Sequence, residues 1–157
     1  MDARKQARNI IVRIAKHHRK TDISAARLRK LIKSVCIRFN ISRATVSVAI
    51  VDDAEISKLN EKFLNHQGST DCLSFDLSDS DTEKEFEIVA NGELAQREAA
   101  LRGHSPEAEL ALYITHGLLH NLGFDDSTGV KAEHMHRTED EILELLGYGP
   151  VYNRDAV

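Results

Sequence analysis

Apolar positions along the chain follow two spacings, near every second residue or every third to fourth, and each change of spacing marks a change of element. Residues 8–15 include the β-rich run Ile10-Ile11-Val12-Arg13-Ile14 and predict a first strand. After Thr21-Asp22, Leu28, Leu31, Ile32, Val35 and Phe39 recur at helical spacing. Arg27, Arg29, Lys30, Lys33 and Arg38 fall between them, which gives an amphipathic helix with a basic outer face. Residues 45–51 (T-V-S-V-A-I-V) are β-branched and partly alternating, a second strand. Asp52-Asp53 caps a following helix with Ile56, Leu59, Asn60 and Phe63 on its inner side. A polar loop over 65–70 leads into a short buried strand at 72–75, an acidic turn over 78–85 and another strand at 86–89. Ser105-Pro106-Glu107 opens a long helix with a cap residue, a proline at the first position and an acid in the first turn. It runs to about Leu122 and stops at Gly123, and a last helix covers 132–146 and stops at Gly147. Strands and helices interleave without strict βαβ regularity. The expectation is an α+β fold, one domain over residues 1–157, with a small mixed sheet packed by several helices.

Composition narrows the class. A 157-residue chain buries roughly 68–70% of its unfolded surface, enough to be stable without a disulfide or structural metal. With 41% hydrophobic and 29% charged residues it is neither disordered nor membranous. Near the N-terminus, three consecutive apolar residues, Ile10 to Val12, are too few for a signal-peptide core, and no later run approaches a membrane span. Cys36 and Cys72 sit inside apolar runs and read as buried, reduced thiols, so a cytoplasmic location is expected. The net charge of −4 conceals an asymmetry: residues 1–43 hold 13 Lys and Arg against 2 acids, and the rest hold 8 against 23. Either a basic face meets a polyanion, or the two parts neutralise each other within the fold.

The chemistry is concentrated between His116 and Asp126, His-Gly-Leu-Leu-His-Asn-Leu-Gly-Phe-Asp-Asp. Residues four apart on a helix have β-carbons ~5–6 Å apart, so His116 and His120 can meet one ion. Gly123 breaks the helix and lets Asp126 swing back over the same face. Two histidines, one carboxylate and a water form an open tetrahedral site of the catalytic kind, with one zinc ion (Zn2+), or another divalent metal in its place, the expected cofactor. The flanking Leu112, Ile114, Leu118, Leu119 and Leu122 are apolar, and imidazoles among them need partners. The spacing also resembles the zinc motif of metzincin proteases, which place Glu after the first His as general base; Gly117 stands there and argues against peptide hydrolysis by that route.

From about residue 45 to 147 the chain resembles the YbeY family, bacterial rRNA maturation factors described as metal-dependent, single-strand endoribonucleases. The family core His-Gly-x-Leu-His-x-x-Gly-[Tyr/Phe]-Asp-His is matched from His116 to Asp125. Leu59-Asn60, then Thr70-Asp71-Cys72-Leu73-Ser74-Phe75, resemble the family's Leu-Asn…Thr-Asp/Asn-Val-Leu-Ser-Phe. Asn91-Gly92-Glu93 resembles its Leu-Gly-Asp turn into a strand, and Met135, Glu139 and Ile142-Leu143 match its closing helix. Two positions depart from the family: Asp126 replaces its third histidine, and Leu64 stands where members carry an arginine. An arginine binds phosphate bidentately and a leucine does not; His66 is read as an ordinary loop residue, and His134 and His136 as surface residues.

The resemblance implies cleavage of single-stranded ribosomal RNA during maturation of the small ribosomal subunit. His116, His120 and Asp126 are the expected catalytic metal ligands. Asp125 is expected to orient a ligand imidazole, and either Glu93 or Asp125 to accept a proton. Arg27, Lys30 and Lys33 are the expected RNA contacts. Two alternatives stand beside this one: an assembly factor with weak or lost nuclease activity, and a zinc hydrolase of another substrate.

Overall fold

The computed structural model describes residues 8–18 and 22–152. Nine elements follow in order: β1 (Asn9–Lys16), α1 (Ala25–Arg38), β2 (Arg43–Val51), α2 (Asp53–Leu64), β3 (Cys72–Asp76), β4 (Lys84–Asn91), α3 (Gly92–Arg102), α4 (Pro106–Asn121) and α5 (Gly129–Leu145). The strands form one mixed sheet in the order β1-β2-β4-β3. β1 and β4 run parallel to β2, and the edge strand β3 is antiparallel to β4. The architecture is the α+β arrangement expected. Thr21 and both termini of the single-domain reading lie outside the described residues; the cap of α1 is Ser24, whose hydroxyl accepts from Arg27 N.

Alternation along β2 divides the core. Ala44, Val46, Val48 and Ile50 join the main apolar cluster with Phe86, Ile88 and the inner sides of α1, α4 and α5. Ala49 and Val51 belong to a smaller cluster with Leu73 and Ile56, under α2. α4 is buried almost all round. Its two buried acids are paired: Glu107 accepts from Ser24 N (2.5 Å) and Tyr148 Oη (2.8 Å), and Glu109 accepts from Arg102 (3.1 Å) and touches His104. Gly117 lets α4 lie close on the sheet, since a β-carbon there would be 3.0 Å from Ile88 Cδ1. α1 runs alongside α4 in the same direction: Arg27 pairs with Glu107 near both N-termini, and Phe39 meets Phe124 just past both C-termini.

One element was not expected. Asn91-Gly92-Glu93 does not turn into a strand; Asn91 ends β4 and caps α3, its Oδ1 accepting from Leu94 N (2.9 Å). The helix escaped the pattern because its buried stripe is small, Ala95 and Ala99 beside Gly92, where an apolar period is looked for in large residues. Asn91 Nδ2 is also within donating distance of Asp53 (2.7 Å), Ser69 (3.0 Å) and the Thr70 carbonyl (3.2 Å). That network ties α2, the loop before β3 and α3 to the carboxyl end of β4.

Candidate metal centre

His116 and His120 occupy the last turns of α4, one turn apart. The helix closes at Gly123 in the left-handed region (φ +98°), with Gly123 N donating to His120 O and Phe124 N to Leu119 O. The chain then turns back over the histidine face. Asp126 Oδ2 lies 3.7 Å from His116 Nε2 and 3.6 Å from His120 Nε2, and the two Nε2 atoms are 3.1 Å apart. Tetrahedral ligands at ~2.0–2.1 Å from an ion are separated by ~3.3–3.4 Å, so the triangle has the size such an ion needs.

The protons of the two rings are accounted for elsewhere. His116 Nδ1 donates to Glu139 Oε2 (2.9 Å), and His120 Nδ1 donates to the carbonyl of Phe124 (3.2 Å). With neutral rings these acceptors select the Nδ1–H tautomer, which leaves an Nε2 lone pair on each ring facing the other and the Asp126 carboxylate. In that tautomer the three lone pairs repel one another, and a cation between them, a metal ion or a proton, removes the repulsion. Burial pulls the His116 imidazolium's pKa down. The hydrogen bond and charge of Glu139, with Asp71 and Asp126 nearby, outweigh it, so the net direction is up.

A second trio, His116, His136 and Glu139, also brings three potential ligand atoms together. Its atoms are already partnered: Glu139, fully buried, receives His116 Nδ1 on one oxygen and His136 Nδ1 (2.6 Å) on the other. This trio is satisfied by hydrogen bonds alone, and it supports the first as the carboxylate behind a histidine ligand commonly does.

Several expected roles fall differently. Asp125 does not reach an imidazole; its carboxylate accepts from Ser127 N (2.8 Å) and Oγ (2.6 Å) and from Lys131 (3.4 Å), which holds it low and shapes the loop. Glu139 takes the place given to Asp125. His136 is no plain surface residue, being bonded to Glu139 and stacked on Tyr152 at 3.6 Å. His134 is exposed and stacks on Phe124. Glu93 accepts from Asp53 N (3.1 Å), an anchor between α3 and α2. Leu64 ends α2 and is exposed.

Arg27, Lys30 and Lys33 are all exposed on α1. Arg27, however, pairs with Glu107 (3.1 Å) and covers the Tyr148 ring, nine residues and therefore ~13–14 Å along α4 from His116. Among the described residues Lys30 and Lys33 have no ion-pair partner, whereas Arg38 and Arg43 pair with Glu141 and Glu83. The basic segment is thus partly neutralised by the acidic remainder and partly free.

Fold and site together define a small α+β protein whose His-x3-His helix lies on a mixed sheet and turns a carboxylate back over its own histidines. The sequence model of the family described as Endoribonuclease YbeY matches residues 13–147, and the chain belongs to that family. The match takes in the second half of β1 and all of α1 as well as the stretch from residue 45. The chain is 40% identical over 115 residues to Endoribonuclease YbeY of Chelativorans sp. (strain BNC1), covering 70% of this chain and 71% of the relative. It is 34% identical to the Carboxydothermus hydrogenoformans protein of the same name, covering 82% and 92%. The solution structure of TM1509 from Thermotoga maritima has a similar fold, with a TM-score of 0.56 over 86% of this chain and 91% of that one at 23% identity.

Proposed function

We propose that this chain is a zinc-dependent endoribonuclease that hydrolyses single-stranded RNA, with His116, His120 and Asp126 as metal ligands. Ribosomal RNA in the maturing small subunit, in the cytoplasm, is its proposed substrate. The observation that carries the reading is the convergence of two Nε2 atoms and a carboxylate oxygen on one point, with each Nδ1 atom at hydrogen-bond distance from an acceptor elsewhere. A zinc ion held there supplies Lewis acidity and a bound water acidified to a pKa of ~7. The chain's own part is orientation. Glu139 fixes the His116 ring, the Phe124 carbonyl fixes His120, and Ser127 holds the loop that delivers Asp126. Gly117 is packed against Ile88 and Ser74, so no side chain beside His116 acts as the general base of a peptidase.

Asp126 in place of the family's third histidine makes the ligand set more anionic, which favours harder divalent ions relative to a three-histidine site. Leu64, exposed where members carry arginine, supports one second reading, an assembly factor with weak nuclease activity. The test is metal analysis of purified protein followed by incubation with single-stranded and duplex RNA. About one equivalent of zinc and metal-dependent cleavage confined to single strands are expected, with tight binding abolished in His120→Ala. Full metal stoichiometry in that variant overturns the ligand assignment. A zinc-loaded protein that cuts no RNA transfers the conclusion to the assembly factor.

A further inference from the structure

A cleft of about 350 Å³ opens beside the loop that carries Asp126, lined by Leu122, Gly123, Phe124, Asp125, Lys131 and His134. One wall is aromatic. The Phe124 ring stands edge-on to Phe39 (centroids 5.6 Å apart, 79°) and nearly parallel to the His134 imidazole (5.5 Å, 19°). Phe124 is thereby fixed between two elements, while His134 is exposed; among the described residues no other ring lies against it. Lys131 stands at the rim, its side chain 60% exposed and its ammonium 3.4 Å from Asp125. That contact is weak and open to exchange. Asp125 already accepts two hydrogen bonds from Ser127, so Lys131 leaves no orphaned carboxylate when it moves.

The cleft is bordered by the same loop that builds the candidate metal centre. The Phe124 carbonyl is the acceptor for His120 Nδ1, and Asp125 immediately precedes Asp126. Phe39 brings the C-terminal end of α1 to the aromatic wall. Lys33 and Lys30, six and nine residues before Phe39, therefore lie ~9 and ~14 Å back along that helix axis. An exposed ring to stack on, a movable cation beside it and further cations beyond, without an ion-pair partner among the described residues, are the ingredients of single-strand recognition.

We propose that this cleft is a nucleotide subsite of the RNA-cleaving site, in which an unpaired base stacks on the outer face of His134 and Lys131 takes the adjoining phosphate. The proposal rests on the ribonuclease reading above. It gives single-strand preference a physical origin, because a base held in a duplex has no free face to offer a side-chain ring. It also separates two contributions that respond differently to salt: stacking does not release counterions and a phosphate contact does.

The experiment measures binding of the metal-loaded full chain to a 2′-O-methylated single-stranded 12-mer, which resists cleavage, at several salt concentrations. His134→Ala should weaken binding roughly 5- to 150-fold with the salt slope unchanged. His134→Tyr, which keeps a ring, should restore it. Lys131→Ala should lower the slope of log K against log salt by about 0.7. Metal content and melting temperature, expected unchanged in all three variants, exclude a folding defect. Wild-type affinity and slope in both alanine variants overturn the subsite and leave the ribonuclease reading standing. Loss in His134→Ala without recovery in His134→Tyr overturns the stacking role. A wild-type protein that binds no single-stranded RNA overturns the ribonuclease reading and the subsite with it.

Discussion

Glu139 is a carboxylate with no exposed surface that receives one hydrogen bond on each oxygen, from His116 and from His136. A buried carboxylate is tolerated only when its lone pairs are used, and here their use fixes the tautomer and the aim of a metal-facing imidazole. Glu139→Gln keeps the shape but offers only one acceptor oxygen. It should retain one metal equivalent at about 10- to 100-fold weaker affinity, read by chelator competition; unchanged affinity would show that His116 is held by packing alone. Leu64 poses the opposite problem, an apolar side chain 44% exposed at the last position of α2. Leu64→Arg should speed single-strand cleavage, by up to ~100–1000-fold if the guanidinium meets the transition-state charge. A rate equal to wild type would show that position 64 does not face the phosphate, and His116→Ala, expected to be inactive, controls for contaminating nucleases.

At the scale of elements, α2, α3 and the loop before β3 are joined through one carboxylate. Asp53 accepts from Arg97 (2.6 Å), Asn91 (2.7 Å) and Ser69 (2.9 Å), and the Arg97 hydrogen bond, then that of Asn91, pulls its pKa far below the usual carboxylate range. A folded pKa below the unfolded value of ~3.9 means that Asp53 stabilises the fold above about pH 4, and that this is lost as pH falls toward the folded pKa. The melting temperature of the wild type should therefore drop more steeply between about pH 5 and pH 2 than that of Asp53→Asn. Parallel slopes would assign acid sensitivity to other carboxylates. α4 and α5 are also placed by apolar packing. α4 lies close on the sheet because Gly117 has no β-carbon, and α5 packs through Met135, Ile142 and Leu143 on the stripe that also buries Glu139.

For the molecule as a whole, the charge asymmetry resolves into two populations. Arg27, Arg38 and Arg43 are tied to Glu107, Glu141 and Glu83, whereas Lys30 and Lys33 meet no carboxylate among the described residues. Replacing Lys30 and Lys33 together with alanine should lower the salt slope of single-strand RNA binding by about 1.4, at ~0.7 per phosphate contact. Arg27→Ala should act on stability more than on that slope, because it leaves the buried Glu107 carboxylate without its cation. A slope untouched by the double substitution would mean that the RNA does not follow α1.

What the sequence determined by itself is local in origin. The histidine pair, the glycine stop and the returning aspartate span eleven residues, and helix periodicity with a left-handed C-terminal residue is enough to bring them together. Most strands and long helices were legible for the same reason, since a period of two or 3.6 in large apolar residues survives without neighbours. α3 was not, because a stripe of alanines carries little signal until β2 and α4 close over it. Only the tertiary structure decided which acceptor each Nδ1 proton finds, 23 residues away for His116 and one turn on for His120. It also decided that Asp125 serves the loop rather than an imidazole, and that Arg27 is neutralised while Lys33 meets no carboxylate among the described residues. Those outcomes depend on which distant carboxylate or carbonyl a polar group meets once packing has set the distances, and no pattern along the chain encodes that choice.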